Sequence, residues 1–326
     1  MQYKSKGEST IQIFRNFPPN YFNYLRLKHR LPAHHKQYRK VLEKMGYIEA
    51  GHYGELRVDR SIKEVQFPSE VHIIPDFHMK IHENRYIQVD TLIITSSYIL
   101  IVEVKNIIGN IIFKTFPNQL IRTLDNETTA FNCPIIQLQR NQDGFQLWLN
   151  QTQWKIPIYT VLVFASDKAI IENAPKEQTI LFSKNLPLFI QKLNKLPPLL
   201  TKAQYLKIKE ILMRKNMHFV EPPLCSKYEI STSELKKGVL CINCGNRLNR
   251  ISERQWTCTA CGINDKDPIP RNVEDLFTLM KHEVTMQECM DLLQLKSRYT
   301  LNYTFQKMKL IKTKKGNKTT YQKSNN

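Results

Sequence analysis

Apolar and polar positions form distinct blocks along the chain, and the clearest block is QVDTLIITSSYILIVEVKN at residues 88–106. Two runs rich in Val, Ile, Leu and Tyr flank Ser96 and Ser97, a pattern that predicts a β-hairpin. A turn centred on the two serines pairs residues whose numbers sum to 193, so Asp90 is predicted to lie opposite Glu103. Lys105, two residues after Glu103, is predicted to share its face of the strand.

Like charges placed directly opposite each other in a hairpin are destabilising, so this carboxylate pair needs an explanation. One interpretation is an exposed hairpin face on which Lys105 offsets two surface carboxylates. The runs TLII and YILIV are nearly continuous in apolar residues, which favours strands covered on both faces instead. A divalent cation such as Mg²⁺, which prefers oxygen ligands, would then account for a buried carboxylate pair.

Further segments indicate an α/β architecture. Pro134 is suited to the first turn of a helix over CPIIQLQRNQDGFQLWL, which places Gln137 near the beginning of that helix. PIYTVLVFAS at 157–166 is typical of another buried strand, and TILF at 179–182 of a further one. The succession of helices and strands predicts a layered α/β fold.

The hairpin with Gly109 after it, GHYGELRVDRSI at 51–62 and the segment beginning at Cys133 together resemble the nuclease-related domain, NERD, of the PD-(D/E)xK nuclease superfamily. The resemblance covers residues 45–165 and departs from the family pattern at Cys133, where the family commonly has asparagine. It implies a restriction-endonuclease-like mixed sheet flanked by helices.

The resemblance also implies a function, metal-dependent cleavage of phosphodiesters. Asp90, Glu103 and the main-chain carbonyl of Val104 would hold Mg²⁺ or Mn²⁺. Lys105 would position or activate the attacking water. Glu55 would supply a further carboxylate, and Gln137 would touch the water or the substrate.

A second motif, CINCGNRLNRISERQWTCTACG at 241–262, contains two Cys-x-x-Cys pairs, each followed by glycine. Four thiolates at this spacing predict a closed structural zinc site, a zinc ribbon, formed by Cys241, Cys244, Cys258 and Cys261. Two disulfides are the disfavoured alternative, because the start of the chain does not resemble an export signal. The other three cysteines, Cys133, Cys225 and Cys289, are expected to be ordinary buried thiols.

The C-terminal residues predict a winged helix-turn-helix. Thr285 and Glu288 form a capping box, Ser297 is suited to cap the next helix, and the end of the chain is typical of a two-stranded wing. A helical cap with a lysine-rich tail is the alternative. The predicted nucleic-acid-binding residues are Arg298, Tyr299, Asn302, Lys307, Lys314, Lys315 and Lys318.

The net charge of +19 is concentrated at the two ends of the chain. Residues 1–50 contain ten Lys and Arg against three acidic residues, and residues 291–326 contain nine against one. Clustered basic charge favours a nucleic acid partner, either DNA or RNA, although a basic tail can also serve solubility alone. With 41% apolar residues and no apolar run of membrane-spanning length, the chain is expected to be globular and cytoplasmic.

The sequence predicts a metal-dependent nuclease that acts on DNA. The alternative is a non-catalytic DNA-binding or regulatory protein with a degenerate nuclease fold. The predicted parts are a basic N-terminal arm at 1–44, a NERD nuclease-like domain at 45–215, a linker at 216–236, a zinc ribbon at 237–268 and a winged-helix-like tail at 269–326.

Overall fold

A computed structural model describes residues 12–217, 221–252 and 255–324, with the side chain of Lys315 outside the described part. The described residues form two compact units. The first unit contains residues 12–17 and 50–217, and the second contains 18–49, 221–252 and 255–324.

The helices are α1 (Pro19–Arg30), α2 (Tyr38–Lys63), α3 (Pro134–Leu149), α4 (Leu186–Leu193), α5 (Lys202–Lys215), α6 (Leu224–Lys227), α7 (Pro268–Asp275), α8 (Met286–Leu293) and α9 (Arg298–Lys307). The strands are β1 (His72–His82), β2 (Arg85–Ile94), β3 (Ile99–Lys105), β4 (Gly109–Thr115), β5 (Asn118–Leu124), β6 (Glu127–Asn132), β7 (Ile158–Phe164), β8 (Ala169–Glu172), β9 (Ile180–Phe182), β10 (Asn249–Ser252), β11 (Gln255–Thr257), β12 (Asn264–Asp265), β13 (Glu283–Val284), β14 (Ile311–Lys315) and β15 (Lys318–Gln322). No described helix is both long enough and apolar enough to cross a membrane.

The first unit is built on a mixed five-stranded sheet in the order β1-β2-β3-β7-β9. Strands β1, β2 and β3 are antiparallel, whereas β3, β7 and β9 run parallel to one another. A second sheet in the same unit has the order β6-β5-β4-β8. The predicted mixed α/β fold is therefore confirmed, including the strands expected near residues 157–166 and 179–182.

Alternating residues of β3 enter two different hydrophobic cores. Ile99 and Ile101 belong to the core that includes residues of α3 and α5, whereas Leu100 and Val102 belong to the core that includes residues of α2 and α4. All residues of β3 except Lys105 are buried. Helices thus cover both faces of the central sheet, and Glu103, an odd-numbered residue of β3, projects toward the side that carries α3.

The second unit contains two small three-stranded sheets, β10-β11-β12 and β13-β15-β14, within a common hydrophobic core. Arg30, fully buried at the end of α1, connects several of its segments. Its guanidinium donates to Asp275 Oδ2 at 2.7 Å, to Asn272 Oδ1 at 2.6 Å and to the carbonyl of Gly238 at 2.8 Å. A buried guanidinium requires such a complete set of acceptors.

The division into units corrects the predicted linker and N-terminal arm. Residues 221–236 contain α6, and Leu224, Cys225, Ile230 and Leu235 enter the core of the second unit, which contradicts a linker there. Residues 18–49 group with the same unit, and α2 runs through the predicted boundary between residues 44 and 45. Pro222 and Pro223, within the predicted linker, stand immediately before this short helix.

Candidate functional site

The register of the β2–β3 hairpin places two acidic residues where the pairing of these two strands ends. Thr91 pairs with Val102, and the pairing continues to Ile94 with Ile99, which confirms the predicted sum of 193. Asp90 lies one residue beyond the last recorded pair. Its Oδ2 accepts a hydrogen bond from the main-chain N–H of Val104 at 2.7 Å, so the carboxylate is held against β3.

Glu103, Lys105 and Gln137 form a connected polar group beside Asp90. Lys105 Nζ donates to Glu103 Oε1 at 2.6 Å and to Gln137 Oε1 at 3.3 Å. Gln137 reaches this group because α3 begins at Pro134, as predicted, and packs on the side of the sheet toward which Glu103 points.

Glu103 is a buried carboxylate with one uncommitted oxygen. Its side chain is 1% exposed, and its Oε2 has no hydrogen-bond partner among the described residues. Burial and the neighbouring Asp90 carboxylate raise the pKa of Glu103 to about 8, against the opposing effect of Lys105. An unpartnered buried oxygen of this kind is costly unless a cation or a proton compensates it.

Two more ionisable groups of the site also have shifted pKa values. Burial raises the pKa of Asp90, although Lys105 and the Val104 N–H oppose the effect. Burial acts to lower the pKa of Lys105, but the carboxylates of Glu103 and Asp90 outweigh it and raise that pKa. The lysine therefore remains an ammonium at neutral pH.

Glu55 lies on α2, whose residues Val58 and Ile62 belong to the core on the opposite side of the sheet from α3. Burial, followed by the repulsion of Asp90, raises the pKa of Glu55 to about 8. Its Oε2 accepts a hydrogen bond from Arg15 Nη1 at 2.8 Å. Arg15 and Asp59, which also contact each other, are site residues that the sequence interpretation missed.

Gly54 explains the close approach of α2 to the end of β3. A Cβ atom at this position would come within 2.5 Å of the Cβ of Asn106, the residue that follows Lys105. Asn106 Nδ2 also donates to the carbonyl of Ala50 at 2.7 Å. Glycine at residue 54 thus allows the helix that carries Glu55 to approach the residues that follow β3.

A cleft of about 650 Å³ opens beside Gln137. We call it the Arg140 cleft, and its lining residues are Arg85, Tyr86, Asn118, Asn132, Cys133, Ile136, Gln137, Arg140 and Asn141. Two arginines and several amides give it hydrogen-bond donors for anionic oxygens, and the ring of Tyr86 is exposed. The lining is suited to a polar, negatively charged ligand.

The four predicted zinc ligands come together in the second unit. Their Sγ atoms all lie within 4.8 Å of one another, the one such group of three or more metal-ligating side chains in the part of the chain that the structure describes. Gly245 and Gly262 have φ values of 67° and 73°, and their N–H groups donate to the carbonyls of Cys241 and Cys258. Glycine adopts such positive φ values readily, and these tight turns make the cluster suitable for a metal such as zinc.

The other three cysteines are buried thiols without disulfide bonds, as predicted. Cys133 is the residue that precedes α3, in the first unit. Cys225 and Cys289 lie in the core of the second unit.

The predicted nucleic-acid-binding residues lie around α9 and on the β14–β15 hairpin. Arg298, Tyr299 and Asn302 are exposed on α9, and Tyr299 has 81% of its surface accessible. Lys307 is also exposed but forms an ion pair with Asp267. Lys314 and Lys318 are exposed on the hairpin, whereas the side chain of Lys315 lies outside the described residues.

Residues 50–165 match the family model described as nuclease-related domain, NERD. The match covers about a third of the chain and includes Glu55, Asp90, Glu103, Lys105 and Gln137. It supports the resemblance inferred from the sequence and a nuclease-related function for the first unit. No curated protein and no solved structure matches the chain.

The donor set of the first unit fits one divalent cation. Glu55, Asp59, Asp90 and Glu103 would together carry two more negative charges than Arg15 and Lys105 neutralise. Hard cations prefer carboxylate oxygens, and Glu103 Oε2 offers a free one. The carboxylate oxygens of Glu55, Asp90 and Glu103 do not all lie within 4.8 Å of one another.

Proposed function

We propose that the first unit is a metal-dependent phosphodiesterase that cleaves DNA. The observation that carries the proposal is the buried group of Asp90, Glu103 and Lys105, with Glu103 Oε2 left without a partner. A purely structural ion pair would not leave that buried oxygen without a partner. The family match of residues 50–165 supports the same function.

Asp90 and Glu103, with the main-chain carbonyl of Val104, would hold Mg²⁺ or Mn²⁺. Such an ion polarises a phosphoryl oxygen and lowers the pKa of bound water. Lys105 holds a proton at Nζ and would orient the attacking water or stabilise negative charge that develops on the phosphate. Gln137, already a partner of Lys105, would restrict the position of that water or contact the substrate.

The Arg140 cleft supports a polyanionic substrate. Arg85 Nη2 donates to the carbonyl of Arg140 at 3.1 Å, which places the two arginines at one wall of the cleft. Guanidinium groups bind phosphate oxygens in a bidentate manner. We therefore assign the cleft to the substrate backbone that leads to the metal site, with Tyr86 available to stack on a base.

The second unit would bind nucleic acid through a zinc ribbon and a winged helix-turn-helix. The order of α7, β13, α8, α9, β14 and β15, with β13 paired to β15, supports a winged helix. In such domains the second helix of the pair enters the major groove and the wing contacts phosphates. Arg298, Tyr299 and Asn302 on α9 would contact bases, and Lys307, Lys314, Lys315 and Lys318 would contact the backbone.

A non-catalytic DNA-binding protein is the second candidate function. The observation that favours it is the high charge of the C-terminal residues, which would bind DNA whether or not the first unit cleaves it. RNA is the other polymer that the same basic residues would bind.

The proposal is tested by cleavage assays on the full chain. Labelled single-stranded, duplex and branched DNA and single-stranded RNA are each incubated with Mg²⁺ or Mn²⁺, and with a chelator. The variants are Asp90→Asn and Glu103→Gln, which retain side-chain size. Glu172→Gln, at an exposed acidic residue of β8, is the matched control.

We expect metal-dependent cleavage of at least one DNA substrate by the wild-type protein and by the control, and a loss of at least about a hundredfold in both site variants. Binding without any cleavage would assign the chain to the non-catalytic class. Cleavage of RNA alone would replace the proposed substrate.

A further inference from the structure

The part of the predicted N-terminal arm that the structure describes within the first unit, residues 12–17, contributes a buried arginine to the candidate metal site. Ile13 lies in the same hydrophobic core as Val58 and Ile62 of α2, so the arm is anchored to the first unit. Arg15 follows two residues later and has a side chain that is 2% exposed. The arm lies outside residues 50–165, the segment that matches the family model.

The guanidinium of Arg15 uses all three of its nitrogens. Nε and Nη2 donate to the two carboxylate oxygens of Asp59 at 2.7 and 3.0 Å, and Nη1 donates to Glu55 Oε2 at 2.8 Å. Nη2 also donates to Thr91 Oγ1 at 2.7 Å and to the main-chain carbonyl of Asp90 at 3.0 Å. A planar fork of donors makes this geometry possible, and a lysine could not reproduce it.

These contacts join the two elements that carry the acidic groups. Asp59 and Glu55 lie one turn apart on α2, whereas Asp90 and Thr91 lie on β2. The contact with the Asp90 carbonyl fixes the main chain at the residue whose side chain faces Val104 and Glu103. Arg15 thus links the Glu55 carboxylate on α2 to the main chain at Asp90 on β2.

We propose that Arg15 is a positioning residue of the metal site, so that the N-terminal arm is part of the functional unit. This inference rests on the proposed function in so far as it concerns a divalent cation. Residues that orient metal ligands through hydrogen bonds typically change metal affinity by roughly 10- to 100-fold when they are replaced.

An opposite expectation follows if Arg15 only neutralises charge. Removal of a cation from an acidic cluster would then increase the affinity for Mn²⁺, because the site would become more negative. If Arg15 instead positions the metal ligands, its replacement should decrease the affinity for Mn²⁺. The sign of the change in affinity therefore distinguishes the two roles.

Mn²⁺ binding to the full-length protein that retains its zinc but is free of other divalent cations, measured by isothermal titration calorimetry, tests the inference. The variants are Arg15→Ala and Arg15→Lys, and Arg60→Ala is the matched control, since Arg60 is exposed on α2. Circular dichroism identifies any variant that does not fold. Arg15→Lys retains the charge and is the variant expected to fold if Arg15→Ala does not.

We expect Arg15→Lys to weaken Mn²⁺ binding by about tenfold and Arg15→Ala by more, with Arg60→Ala equal to wild type. Cleavage at saturating Mn²⁺ should also show a lower kcat in Arg15→Lys. Unchanged or tighter Mn²⁺ binding in the folded Arg15 variants would overturn the inference while the proposed function stands. A wild-type protein that binds no Mn²⁺ would overturn both.

Discussion

At the scale of single residues, the candidate site is a balance of buried charges. Glu103, almost fully buried, shares one oxygen with Lys105 and leaves the other without a partner. Asp90 is compensated by a main-chain N–H, and Glu55 by Arg15. Each acidic group therefore has a partner that holds it in place, and the group carries its full excess negative charge only when Glu55 and Glu103 are both ionised.

The raised pKa values of Glu55 and Glu103 predict a pH-dependent stability of the metal-free protein. Both pKa values are about 8 in the folded protein, compared with an ordinary value of 4.5. Between these values the folded state binds more protons at these two groups than the unfolded state, so their contribution to stability is fully present below about pH 4.5 and is lost as the pH rises through 8. Chemical denaturation without added divalent cation, on protein that retains its zinc, should show this decrease between about pH 6 and about pH 9.

Glu103→Gln removes one of the two titrating groups and should reduce the decrease in stability with pH. The control Glu172→Gln should retain the wild-type dependence. A Glu103→Gln protein whose unfolding free energy falls with pH as steeply as that of wild type would contradict the account of this carboxylate.

The sequence could predict the central residues of the site but not all of them. Asp90, Glu103 and Lys105 could be related to one another because a short turn at two serines determines the pairing of a hairpin. Arg15 contacts residues 40 to 76 positions away, and one arginine in a basic segment has no local pattern that indicates burial. Asp59 was missed for the same reason, since its partner is Arg15.

At the scale of elements, the approach of α2 to the end of β3 depends on a small residue. A Cβ at Gly54 would lie 2.5 Å from Asn106, whereas a Cβ at Gly51, in the same helix, would meet no atom within 4 Å. The two glycines thus form a natural pair of test positions, one in close contact and one in open space.

Gly54→Ala should destabilise the protein by about 1–3 kcal/mol, because helix and strand must separate. Gly51→Ala should stabilise it by up to about 1 kcal/mol, because alanine is the better helix former. Both free energies of unfolding are measured by chemical denaturation. If Gly54→Ala were as well tolerated as Gly51→Ala, Gly54 of α2 would not pack closely against Asn106.

The cysteine cluster predicts zinc-dependent folding of β10–β12 and their turns. We expect about one zinc per chain by atomic emission, and a loss of that zinc together with a lower Tm in Cys258→Ser. Cys133→Ser, in the first unit, serves as the control and should retain its zinc. A Cys258→Ser protein that keeps both zinc and stability would rule out this ligand set.

At the scale of the whole molecule, sequence patterns were least informative. Residues 18–49 and 221–324 are far apart in the chain, yet Tyr24, Leu27 and Arg30 share a core or hydrogen bonds with C-terminal segments. Local patterns predict helices and turns, but they do not report which distant apolar faces meet. The capped helices α8 and α9 and the β14–β15 hairpin could therefore be predicted, whereas the grouping of distant segments in one unit could not.

The clustered charge predicts DNA binding that weakens with salt. Replacement of Lys314 and Lys318 by alanine should make the negative slope of log affinity against log salt less steep by about two. The same replacement should weaken binding to all duplexes alike. Arg39→Ala, at an exposed residue that pairs with Glu43, should leave the slope unchanged. Fluorescence anisotropy at several salt concentrations measures the affinity and the salt slope of each variant. An unchanged slope in the double variant would exclude the β14–β15 hairpin from the interface.

The central claim is that Asp90 and Glu103 bind a divalent cation beside Lys105. The most direct measurement is an anomalous difference map from crystals of the full chain soaked in Mn²⁺, with Glu103→Gln crystals treated identically. We predict a peak within about 2.5 Å of oxygens of Asp90 and Glu103 that is lost in the variant. A map with no peak at these carboxylates would contradict the account.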